Sequence, residues 1–128
     1  EEENIQNCLR SLLRLDYPKE KLEIIVVDDG STDKTAEKAR EFAKDKEVKI
    51  KVFSKRNGGT ASAKNYGLKR AKGELVTTLD ADSFVAKDAL KKMVAYFENP
   101  EVGSVTASLN VYNPKNFLQK LRKKAIRV

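Results

Sequence analysis

Two apolar runs, each ending in acid, constrain this chain more than any other feature. Residues 22–29 read LEIIVVDD and residues 74–83 read ELVTTLDADS. A near-continuous run of branched aliphatics suits a strand covered on both faces, and such strands belong to parallel sheets. Acids at the end of such a run lie where water or a ligand can meet them, whereas inside it they would be costly. Helix-like and strand-like patterns alternate along the whole chain. That alternation specifies an α/β fold, a mainly parallel sheet with helices on both faces.

The elements follow in order. Ile5, Cys8, Leu9, Leu12 and Leu13 stand at helical spacing over residues 3–15, and Tyr17-Pro18 stops that helix. LEIIVVD is a buried strand, and Ser31 or Thr32 can cap a helix over about 33–45. KIKVFS alternates and reads as a strand nearer an edge. NGGT at 57–60 breaks the chain, and the next helix runs to about Lys72, ended by Gly73. ELVTTLD is a third strand, followed by a helix at about 87–98 that Pro100 stops. VGSVTAS at 102–108 is a fourth strand. Asn113-Pro114 opens a last helix, with proline at its tolerated first position. A domain of this class usually begins with a strand, so the order predicts a further strand before Glu1.

Composition narrows the chemistry. The chain has 128 residues, no histidine and one cysteine. That removes Ser-His-Asp and Cys-His nucleophile systems, histidine metal sites and an internal disulfide. A metal must be held mainly by oxygen, which favours Mg2+ or Mn2+. The net charge of +7 suits an anionic ligand, a membrane surface or nucleic acid. Aromatic residues are sparse and not interleaved with the basic ones, which argues against nucleic acid. No apolar run is long enough to span a membrane.

In sheets of this kind ligands sit beyond the carboxyl ends of the strands. Asp80 and Asp82 stand at one such end, where paired carboxylates can hold the divalent ion that a nucleotide diphosphate needs. The plainer alternative is a solvated turn in which Asp82 or Ser83 caps the following helix. Asp28 and Asp29 stand at the other end, where a carboxylate can accept from a base N–H or a ribose hydroxyl. NGGTASAKNYG at 57–67 is not a Walker loop, because Ala63 replaces the second glycine and Asn65 follows Lys64. It can still turn Lys64 and backbone N–H groups toward phosphate.

DDGSTD, NGGTASAKNYG and LDADS, in that order, resemble the family 2 glycosyltransferases with the GT-A fold. EEENI looks like the tail of that family's first motif. ENPEVGSVTASLNVYNPKNFLQKL resembles the segment after the D-x-D in the hyaluronan, chitin and poly-N-acetylglucosamine synthase branch. The resemblance implies a Rossmann-like GT-A nucleotide-binding half, a single partial domain over 1–128 cut at both ends. Its first strand would lie between the LEIIVV and ELVTTL strands, so its loss would leave edges open to self-association. The resemblance further implies a UDP-sugar donor and a saccharide or lipid-linked acceptor hydroxyl. Asp29, with Asp28, would meet the uracil end, Asp80 the ribose and diphosphate, and Asp82, with Asp80, the metal. Lys64 holds a place often taken by arginine, and Thr60 stands where the synthase branch usually has lysine. The general base is expected beyond Val128, and the location in the cytoplasm or at the cytoplasmic face of the membrane.

Two further expectations complete the reading. A receiver-type phosphoacceptor domain is the alternative, with Asp28-Asp29, Asp80 and Thr106 as its acid and hydroxyl set. The tail PKNFLQKLRKKAIRV holds six basic residues, no acid and an apolar stripe at helical spacing. It can pack its stripe on the protein or meet an anionic membrane surface.

Overall fold

The structure, a computed structural model, describes residues 2–44 and 47–108. It divides into two units, Glu1–Leu90 and Lys91–Val128. The expected last helix and the basic tail lie outside the described residues.

The first unit opens with helix α1, Glu2–Leu13. A short 3₁₀ turn, Lys19–Lys21, leads into strand β1, Glu23–Asp28. Helix α2, Thr35–Phe42, follows, then strand β2, Lys49–Ser54. Helix α3 spans Thr60–Leu68, and α4 spans Ala89–Ala95. The second unit holds most of α4, a 3₁₀ turn at Tyr96–Glu98, and an irregular stretch in which Val102 N–H donates to the Asn99 carbonyl at 3.0 Å.

β1 and β2 are parallel, in register from Glu23↔Lys49 to Asp28↔Ser54. Parallel pairing needs a crossover, and α2 supplies it. Side chains alternate across a strand, so β1 serves two layers. Ile24 and Val26, with Val52, pack on the core of Ile5, Leu9 and Ala39, to which α1 and α2 contribute. Ile25 and Val27 face α3, where a Cβ on Gly67 would meet Val27 Cγ2 at 3.3 Å. Glycine there lets the helix lie close on the strand. On the same side Tyr66 meets Phe53 edge-on at 6.0 Å, and Arg70 caps the Tyr66 ring at 3.4 Å. Leu9 is the most deeply buried large side chain, and truncating such a residue costs about 2–5 kcal/mol.

The α/β class, the parallel pairing and the helices on both faces stand as the pattern requires. Several element boundaries and two strands do not. Neither Ser31 nor Thr32 caps α2: Lys34 holds the cap position, and Asp33 just before it accepts the Thr35 N–H at 3.0 Å. Helix α3 ends at Leu68 rather than near Lys72, as Arg70 and Ala71 N–H groups tighten onto the Gly67 carbonyl. ELVTTLD and VGSVTAS form no strand, and the sheet has two strands among the described residues. A strand exists only through a neighbour's N–H and C=O groups, and no described backbone segment supplies them here. The segment 72–80 begins near the amino end of β1, where Lys72 N–H donates to Glu23 Oε2, and ends beside Cys8 and Lys64. Along it Leu75, Val76 and Leu79 are 45%, 49% and 39% exposed.

Candidate nucleotide-sugar site

The candidate site lies at the carboxyl ends of β1 and β2, where three loops meet. The first loop leaves β1 at Asp28. Asp28 is buried, and its Oδ1 accepts the Ser31 N–H at 3.0 Å, closing a tight turn. Gly30 has φ of +80°, and a Cβ there would meet the Asn57 backbone N at 3.0 Å. Glycine therefore lets this turn lie against the second loop, in a conformation other residues resist.

The second loop, after β2, is tied to the first at three points. Lys55 N–H donates to the Asp28 carbonyl at 2.9 Å. Lys55 Nζ pairs with Asp29 Oδ1 at 2.5 Å and also donates to the Arg56 carbonyl. Gly58 N–H is shared between the two Asp29 oxygens at 3.0 and 3.2 Å. The Lys55 bond and the Gly58 N–H hold the Asp29 carboxyl below the usual carboxylate range. Gly59, at φ of +84°, then hands the chain to the amino end of α3.

The third loop carries the D-x-D. Ser83 N–H donates to the Asp80 carbonyl at 3.0 Å, so Asp80–Ser83 is a turn with both carboxylates toward solvent. Ala81 points the other way, into the core of Ile5, Leu9 and Ala39. From α3, Lys64 Nζ reaches Asp80 Oδ1 at 3.2 Å, with the two side chains 43% and 65% exposed. Beneath the loop, burial and then the nearby Asp82 charge push the Cys8 thiol up to about 11.

Four of the five expected residues thus fall into two linked pairs. Lys64 and Asp80 meet directly, and the Asp28 and Asp29 carboxylates each tie down a loop. Asp82 stands beside them with Ser83 Oγ at 3.4 Å. The sequence reading missed Lys55, whose signal was available: a lysine directly after the second strand, opposite an acid pair. It also missed Cys8 and Ser11 on α1, which carry no such signal.

No group of three metal-ligating side chains occurs among the described residues. The arrangement is therefore not a closed cage. It fits an ion that takes one or two carboxylates and draws its remaining ligands from phosphate and water, as Mg2+ commonly does. Asp80 already carries one cationic partner, the Lys64 ammonium.

A parallel α/β core with one acid pair at a strand end and a second in a neighbouring loop, in this motif order, is the pattern of a GT-A glycosyltransferase domain. The model of Glycosyl transferase family 2 matches residues 1–127, and the chain belongs to that family. It is 41% identical over 123 residues to poly-beta-1,6-N-acetyl-D-glucosamine synthase of Staphylococcus epidermidis, covering 95% of this chain and 29% of that protein. Among solved structures, a mannosyltransferase from Pyrobaculum calidifontis in complex with GDP-Man and Mn2+ superposes with a TM-score of 0.80. That match is 34% identical and covers 95% of this chain and 35% of that one. Staphylococcus aureus TarS 1–349 in complex with UDP-GlcNAc gives a TM-score of 0.71 at 29% identity, covering 88% of this chain and 35% of that one. The chain thus spans about a third of the length of the proteins it matches. Membership of this family overturns the receiver-domain alternative, and Thr106 stands at the end of no strand.

Proposed function

We propose that this chain is the donor-binding part of a glycosyltransferase that takes a UDP-sugar with a divalent ion and delivers the sugar to a saccharide or lipid-linked acceptor hydroxyl. The observation that carries this reading is the meeting of Lys64 with Asp80 at 3.2 Å. It brings the phosphate-side helix and the acid loop to one point beyond the strand ends. The named relatives support the donor class, since one solved neighbour holds UDP-GlcNAc and another GDP-Man with Mn2+.

Each residue then has a role. Asp29, with Asp28 behind it, receives the uracil end, on a surface that Lys55 and Gly58 hold in place. Lys64 and the first N–H groups of α3 face the diphosphate, where a helix amino end favours anions. Asp80 lies between ribose and diphosphate. Asp82, with Asp80, would hold Mg2+ or Mn2+, which neutralises the diphosphate and makes UDP a better leaving group. No residue here is assigned to deprotonate the acceptor.

Calorimetric titration of UDP with Mn2+ and with chelator tests the reading. Binding should require the metal. Equal binding under both conditions, in folded protein, overturns the metal role. The basic tail suggests a cytoplasmic membrane face, and flotation with anionic vesicles at low salt tests that part; protein that ignores them refutes it.

A further inference from the structure

The acid loop is held by its backbone as well as by Ala81 and Asp80. Three backbone groups of residues 80–87 are fastened to α1 and the chain leaving it. The Cys8 thiol lies 4.0 Å from the Asp80 carbonyl as a weak donor. Val85 N–H donates to Ser11 Oγ at 3.2 Å. Asp16 N–H donates to the Lys87 carbonyl at 2.8 Å. Asp82 sits between the first two of these points, with Ala81 anchored in the core.

Ser11 has the most exacting role. A hydroxyl has one hydrogen to give. Ser11 gives it to the Cys8 carbonyl at 2.7 Å, within its own helix. That fixes the hydroxyl and leaves its lone pairs for the Val85 N–H. Alanine here would strand the Val85 N–H, half-buried, without its partner.

From this geometry we infer that Ser11 is a positioning residue: through Val85 it sets where Asp82 stands relative to Asp80, and so tunes affinity for a metal–diphosphate. The inference rests on the metal–diphosphate reading above. Groups that orient metal ligands from behind typically change metal affinity 10–100-fold when removed. A residue with a merely structural role would lower stability and weaken every ligand together.

The test compares Ser11→Ala and Ser11→Thr with the wild type in the full chain, by calorimetry with UDP plus Mn2+ and with uridine alone. Ser11→Ala should weaken UDP–Mn2+ binding about tenfold and leave uridine binding unchanged. Ser11→Thr, which keeps the hydroxyl, should restore it. If Ser11→Ala does not fold, Ser11→Cys keeps the volume with only a weak acceptor and should show the same selective loss. Equal loss for both ligands, or no loss for UDP–Mn2+, overturns the inference. Metal-independent UDP binding in the wild type overturns the reading beneath it, and the inference with it.

Discussion

Lys55 Nζ stands 2.5 Å from Asp29 Oδ1 and joins the carboxyl ends of the two strands. A cation placed there does two things. It neutralises an acid that would repel an incoming diphosphate, and it holds the second loop where Gly58 can reach the same carboxylate. Lys55→Met should therefore loosen the loop without emptying it. UDP and uridine binding should both fall roughly tenfold, the scale of one charge-assisted hydrogen bond. Asp29→Ala should do the same. Titration of either variant with uridine checks this, and unchanged affinity removes Asp29 from the base site.

In the proposed reading Lys64 and Lys55 serve different parts of the ligand. Lys64→Ala should weaken UDP roughly tenfold and leave uridine alone, because uridine has no phosphate. The same change frees Asp80 of its ammonium partner. Mn2+ bound without nucleotide should then be held as well as before or better. A uridine effect equal to the UDP effect would show that Lys64 acts through the fold.

Acid should undo the loops before the core. Asp29 and Glu23 are held below the usual carboxylate range, first by Lys55 and Lys51 respectively, and Asp33 is lowered to about 2, first by its bonds to Thr35. A carboxyl with a depressed value in the folded protein stabilises it fully above the ordinary value, about 3.9 for Asp and 4.3 for Glu. That contribution is lost as pH falls through the depressed value. Stability should be flat from neutrality to about pH 5 and then fall toward pH 2. Denaturant midpoints across that range check it. Lys55→Met should reduce the acid dependence, and an unchanged slope would show that the pair contributes none of it.

The sequence was most legible where covalent order and apolar pattern decide the outcome. LEIIVV pairs with KIKVFS in parallel, and Ile5, Leu9 and Ala39 form the core, because branched and small apolar residues at those periods have nowhere else to go. The acids at 28–29 fall at the carboxyl end of β1 for the same reason. What the pattern could not supply was partnership. ELVTTL has the composition of a buried strand, yet a strand needs a neighbour on the described backbone, and composition says nothing about one. Nor could the pattern show that Asp28 closes a turn by accepting the Ser31 N–H, a bond set by the local backbone path.

Among the described residues no strand pairs with the second edge of β1, and an unpaired edge has a physical cost. The first edge of β1 carries β2, and Leu75, Val76 and Leu79 stand exposed nearby in the same unit. Unpaired edges beside apolar surface recruit further strands. The 128-residue chain should associate with itself as concentration rises, by sedimentation velocity. Replacing Leu75 and Val76 with lysine should reduce that association. A monomer at every concentration tested would show that the edge is covered.

Because β1 turns Ile24 and Val26 toward the α1–α2 core and Ile25 and Val27 toward α3, the strand has a parity. Ala81 roots the acid loop in the even-numbered layer, whereas Lys64 rides on the odd-numbered one. Substitutions along a single strand should therefore sort by odd and even: shrinking Ile24 or Val26 should disturb the acid loop, and shrinking Ile25 or Val27 should disturb α3 and Lys64. A family that needs to exchange one donor for another could retune either half of the site from beneath, one residue at a time, without touching a side chain that meets the ligand.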